Sequence, residues 1–143
     1  MNSSDYPLSE KRPDLLKSPS GIPFADLTLE AARRGALKMD DLRVTSEALE
    51  LQAQIAGSAG RRQLAENLRR AAELVGVPDA EILEIYGALR PGRADRAELL
   101  RRADHLEERY GARRCAALIR EAAEAYSATQ AVRAPEHNCG ARG

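Results

Sequence analysis

Aromatic side chains are scarce: four Tyr, one Phe and no Trp among 143 residues. A core built from this chain must therefore rest on Ala, Leu, Ile and Val. Burying a Leu-sized side chain contributes about 1.5–3 kcal/mol, and Ala much less. So light a core is compatible with support from a partner. Cysteine is almost missing as well. Cys115 and Cys139 cannot make a disulfide framework, and their scarcity fits a reducing, cytoplasmic setting. Net charge is missing: 22 basic residues balance 22 acidic ones. That balance lacks the basic excess of a general nucleic-acid binder. No apolar run is long enough to span a bilayer. The N-terminal residues have no basic start followed by an apolar stretch, so no secretory signal is expected. Phosphate loops of the Gly-x-x-x-x-Gly-Lys type and Gly-x-Ser-x-Gly elbows are absent too.

What remains is helix. The length suits one domain, which would bury roughly two-thirds of its unfolded surface. Pro7, Pro13, Pro19 and Pro23 break up residues 1–24 and favour extended chain. Tyr6, Leu8, Leu15, Leu16, Ile22 and Phe24 recur along that stretch, as in an arm with apolar anchors; the same composition also suits a disordered leader. Thr28 can cap a short helix that Gly35 ends. Residues 38–44 form a connector. Thr45 caps the next helix, which weakens or breaks at Gly57–Gly60.

From Arg61, the residues Leu64, Ala65, Leu68, Ala71, Ala72 and Val75 recur at steps of three and four, one apolar stripe. Gly76 is expected to stop that helix in the left-handed conformation, and Pro78 to start another. Ile82, Leu83, Ile85, Tyr86 and Leu89 crowd this next helix with apolar surface, and Arg90-Pro91-Gly92 ends it. Asp95 and Glu98 have capping-box spacing. Leu99, Leu100, Ala103, Leu106 and Tyr110 give one further stripe, ended by Gly111. Cys115, Leu118, Ile119, Ala122 and Tyr126 give the last. The expected fold is all-α: a small domain of about five to six helices over residues 25–129. The extended Pro-rich arm, residues 1–24, precedes it, and a loose tail, residues 130–143, follows.

Candidate chemistry is thin. His105 lies between Asp104 and Leu106, with Glu108 one turn on. That spacing could make an acid–base or metal site, but it is also that of a solvated helical histidine. His137 and Cys139 fall short of the four ligands of a closed zinc site. Arg doublets recur at 33–34, 61–62, 69–70, 101–102 and 113–114. Acidic neighbours balance most of them, as in Glu66 beside Arg69 and Arg70, and such pairs support helices rather than catalyse. Two readings stay open on the residues alone: a helical packing subunit, and a free-standing helical adaptor or nucleic-acid-associated regulator. An independent enzyme built on His105 is a third.

The order of short motifs adds specificity. Asp5-Tyr6-Pro7-Leu8 is followed by Asp41-Leu42-Arg43-Val44-Thr45, then Arg70-Ala71-Ala72-Glu73-Leu74 and Val77-Pro78-Asp79. Next come Ile82-Leu83-Glu84-Ile85-Tyr86, Ala88-Leu89-Arg90-Pro91, Arg109-Tyr110 and Arg120-Glu121-Ala122-Ala123. In this register, over residues 5–126, the chain resembles the small (gamma) subunit of adenosylcobalamin-dependent diol dehydratase and glycerol dehydratase.

The resemblance implies a helical subunit that packs chiefly on a large (alpha) subunit. Cobalamin then lies between the large and medium (beta) subunits and is not held mainly by this chain. The assembly, a dimer of heterotrimers, would convert 1,2-propanediol or glycerol to an aldehyde by radical dehydration. The resemblance places no catalytic, cofactor-binding or metal-binding residue on this chain. It implies no nucleic-acid or membrane partner, and a cytoplasmic location. Some relatives carry a longer extension before the Asp-Tyr-Pro-Leu motif, associated with enclosure in bacterial microcompartments; only four residues precede Asp5 here, so self-targeting by this subunit is not expected, although partner subunits could still deliver the complex. The residues expected at the interface are Tyr6, Leu8, Arg43, Tyr86 and Arg90. Each has an ordinary alternative: Tyr86 could fill this domain's own core, and Arg90 could cap a helix C-terminus.

Overall fold

Three helix starts follow the capping chemistry closely. The computed structural model describes the backbone of residues 1–133 and the side chains of residues 1–126. Thr28 accepts from the Ala31 amide to begin α2 (Leu29–Arg33), and Thr45 accepts from the Ala48 amide to begin α3 (Ser46–Ser58). The other α-helices are α1 (Leu8–Lys11), α4 (Arg62–Leu74), α5 (Asp79–Ala88), α6 (Arg96–Tyr110) and α7 (Arg113–Arg133). Among the described residues there is no strand, only an isolated bridge between Lys17 and Pro23. No helix of the described residues is long and apolar enough to cross a membrane.

The chain divides into two compact units, Met1–Val77 and a second beginning at Pro78. In the first, α3 and α4 pack as a hairpin. Its buried apolar residues are mostly small: Ala31, Ala53, Ala56 and Ala65, with Leu8, Ile55 and Val77. Small side chains let helices approach closely. The second unit holds α5, α6 and α7, and α6 packs along α7. Leu99 and Leu106 are its largest side chains shut away from solvent, set among Ala103, Ala112, Ala116 and Ala123. Arg120 of α7 donates to Asp104 and Glu107 of α6, each at 2.7 Å. Tyr126 Oη donates at 2.6 Å to the Leu89 carbonyl, just past the end of α5.

Several expectations meet a different outcome. The proline-rich stretch is extended only in part, at Leu16 and around the bridge between Lys17 and Pro23. The rest includes single turns: 3₁₀ turns at Ser3–Asp5, Pro13–Leu15 and Phe24–Asp26, with α1 between the first two. Proline is compatible with a first turn, as Pro13 shows, and prevents only its continuation. Gly76 is not left-handed; the Val77 amide instead bonds back to the Leu74 carbonyl at 3.0 Å. Pro78 caps α5 from outside rather than sitting in its first turn. Asp95 does accept from the Glu98 amide at 2.7 Å, but the Glu98 carboxylate engages Arg102 one turn on. In α4 the stripe is only half covered: Ala65 is buried, while Leu64 and Val75 are exposed. α7 runs to Arg133, past the expected boundary at 129, since Gln130, Ala131 and Arg133 are good helix formers. His137 and Cys139 lie outside the described residues.

Candidate interaction surface

The five residues expected at an interface are placed very differently. Tyr6 follows the first 3₁₀ turn, is joined to Pro7 by a cis peptide bond, and is 71% exposed. Leu8 is 5% exposed and anchors the arm inside the first unit. Between them opens a groove of about 670 Å³ whose walls include Tyr6, Phe24, Leu64 and Leu68, with Arg61 at its edge.

Arg43 stands in an exposed apolar segment. A 3₁₀ turn, Met39–Leu42, presents Met39 and Leu42 outward, and Val44 follows on the other side of Arg43. The Arg43 guanidinium lies 3.9 Å from Asp40. What fixes this turn is Asp41. Its carboxylate is buried, accepts from the Lys38 amide at 2.8 Å and from Ser18 at 3.2 Å, and accepts from Ser20 as well. The Ser20 hydroxyl, then the Lys38 amide, hold its pKa below the usual carboxylate value against the opposing effect of burial. Ser18 and Ser20 sit in a loop closed by Ser18 N–H to the Ile22 carbonyl (2.8 Å) and Phe24 N–H to the Leu16 carbonyl (3.0 Å). The loop and the exposed turn are thus tied together by one carboxylate.

Tyr86 and Arg90 belong to the second unit. Tyr86 is 63% exposed on α5 and does not fill the core. Leu83, read from the sequence as part of the same apolar crowd, is also exposed. Arg90 follows the helix, its amide donating to the Gly87 carbonyl at 3.3 Å.

His105 meets neither of the carboxylates its sequence neighbourhood offered. Asp104 belongs to Arg120, and His105 Nε2 lies 2.8 Å from Glu81 Oε1, on the preceding helix. Tyr110 Oη donates to the other Glu81 oxygen at 2.8 Å, and Arg109 Nε donates to Tyr110 Oη at 3.0 Å. This cluster borders a groove of about 590 Å³ whose charged walls carry both signs: Glu84, Glu98, Arg101 and Arg102. Arg102 there donates to Glu98 and lies 3.5 Å from Glu84. The arrangement clamps α5 to α6. Nothing in the sequence pointed to Glu81, because its partners are 24 and 29 residues away. Among the described residues, no group of three or more His, Cys, Asp or Glu is placed to hold a metal ion.

Comparison with known proteins gives a consistent answer. The dehydratase small subunit family matches residues 1–133. The propanediol dehydratase small subunit of Salmonella typhimurium is 52% identical over 123 residues, covering 86% of this chain and 71% of that protein. The propanediol dehydratase small subunit of Citrobacter freundii is 50% identical over 123 residues, covering 86% of this chain and 72% of the relative.

Proposed function

The chain belongs to the dehydratase small-subunit family, and on that premise we propose that it is an assembly subunit of a cobalamin-dependent diol dehydratase. The observation that carries this reading is the extent of the family match, residues 1–133. The enzyme would be a hydro-lyase converting 1,2-propanediol or glycerol to an aldehyde, with its catalytic groups on other subunits. The direct partners would be the large and medium subunits.

This chain would meet them through exposed residues: Tyr6, Arg43 with its apolar neighbours, Tyr86 and Arg90. Leu8 would act from inside, holding the arm that carries Tyr6. The complex would be cytoplasmic, and enclosure in a microcompartment would depend on its partners.

Adenosylcobalamin supplies the radical that starts dehydration when it is bound. The two grooves described above, about 590 and 670 Å³, suit drug-sized molecules. A corrinoid with its nucleotide arm is larger than a drug-sized molecule, so neither groove would enclose it. The cofactor is assigned to the partner subunits.

Co-expression tests the proposal. The chain, expressed with large and medium subunits, should yield one complex with coenzyme-dependent dehydratase activity. Equal solubility and activity of the large and medium subunits without it would refute the reading.

A further inference from the structure

We propose that the outward face of α5 docks into an apolar groove of a larger subunit of the dehydratase, where a carboxylate meets Arg90. This rests on the reading of the chain as an assembly subunit and adds the surface and the chemistry of its partner.

α5 carries apolar side chains on an outward as well as an inward side, its charged residues being Asp79, Glu81 and Glu84. Inward, α5 buries Ile85 and Ala88 and half-buries Ile82 and Leu89. Outward, Leu83 is 71% and Tyr86 63% exposed. At 3.6 residues per turn, Leu83 and Tyr86 share one side, as positions i and i+3, and Arg90 follows just past the helix end. A helix with large apolar side chains outward as well as inward carries more apolar surface than one packed face covers. The other helices of this unit obey the usual rule: their exposed positions include Arg101, Asp104, Glu108, Arg113 and Glu121. Among the described residues of this unit, the outer face of α5 exposes two large apolar side chains one turn apart, whereas α7 exposes the single Leu118, and that spacing is one by which helices seat in hydrophobic grooves.

Gly87 points the same way. It lies beside Leu83 and Tyr86 on this face. Its backbone is helical rather than left-handed, and a Cβ placed on it would meet nothing within 4 Å. The fold of this chain therefore has no use for glycine here, where alanine is the more stable helical residue. A bare backbone on an exposed apolar face lets another chain approach closely.

Arg90 sets the chemistry at one end. It is exposed, and among the described residues its side chain makes no hydrogen bond or ion pair. A guanidinium at the rim of an apolar face matches a carboxylate, which it can bind through two parallel hydrogen bonds. Charge complementarity thus selects a groove that is apolar along its floor and acidic at one end.

The test uses the full chain with co-expressed large and medium subunits, and reads association by titration. The double variant Leu83→Ser/Tyr86→Ser and the variant Gly87→Leu should each weaken association about tenfold or more. Arg90→Gln should weaken it about threefold and reduce its salt dependence, as loss of an ion pair requires. Leu118→Ser, on an exposed position of α7, should leave it unchanged.

Sedimentation of the chain alone completes the test. Wild-type dimers that Gly87→Leu dissociates, with subunit binding intact, would make a second copy the occupant and overturn the proposal. If the wild-type chain binds the larger subunits and the α5 variants bind equally well, this inference alone fails. If the wild-type chain does not bind them, the assembly reading fails and takes this inference with it.

Discussion

His105 Nε2 lies 2.8 Å from Glu81 Oε1, and Tyr110 Oη donates to Oε2 of the same carboxylate, so one side chain of α5 is gripped by two of α6. Oε1 is shut off from solvent and accepts no hydrogen bond among the described residues, the imidazole lying against it without hydrogen-bond alignment, so removing the imidazole takes away only that contact between the two helices. His105→Ala should therefore lower the unfolding free energy of the chain by at most about 1 kcal/mol, measured by denaturant titration. Turnover per assembled dehydratase complex should stay at the wild-type level. A collapse of turnover with assembly intact would give His105 a catalytic role and end the structural account.

Asp41 predicts a pH dependence with a definite sign. Its pKa is held below the ordinary carboxylate value by the Ser20 hydroxyl and the Lys38 amide. A carboxylate depressed on folding contributes in full above its unfolded value, about pH 4, and the contribution disappears as pH falls through the lower folded value. The thermal midpoint should thus decline on acidification below about pH 4. Asp41→Asn should be less stable at neutral pH and should lose part of that decline. An unchanged acid limb in the variant would show that another group controls it.

Two glycines should respond in opposite directions. Gly111 ends α6 with φ of 67°, and its amide bonds to the Glu107 carbonyl at 3.0 Å. Gly111→Ala should cost about 1 kcal/mol, because a Cβ is strained in the left-handed region. Gly87→Ala, at a helical position with open space around it, should stabilise the isolated chain by up to about 0.5–1 kcal/mol. Thermal melts of the two variants should shift to opposite sides of wild type.

The second unit should be sensitive to volume in both directions. Leu106 is 1% exposed, and Leu106→Ala should cost about 2–5 kcal/mol through lost burial and the cavity left behind. Ala116 has no solvent exposure, and Ala116→Leu should cost about 1–3 kcal/mol by forcing apart what alanine allows to approach. Denaturant midpoints would check both. Near-neutral values would mean that this core is loosely packed.

Helices α2 to α7 and most of their ends were legible because those signals are local. Thr28, Thr45 and Asp95 accept from backbone amides three residues on, and Gly111 needs only its own φ. Gly76 shows the limit of that logic: the residue permitted a left-handed stop but did not compel one. The prolines of the arm show it again. They restrict each turn's continuation, yet whether the chain between them extends or coils depends on what it packs against.

The sequence by itself determined an all-α chain, its caps, and, through the order of its short motifs, its family. Only the tertiary structure decided which apolar residues face outward. Leu83 and Ile85 are equally apolar and two positions apart, but one is exposed and the other buried. It also joined Glu81 to His105 and Tyr110, and Asp41 to Ser18 and Ser20. Capping and helical periodicity act over three or four residues, whereas these pairings span more than twenty and exist only once the helices and loops have packed.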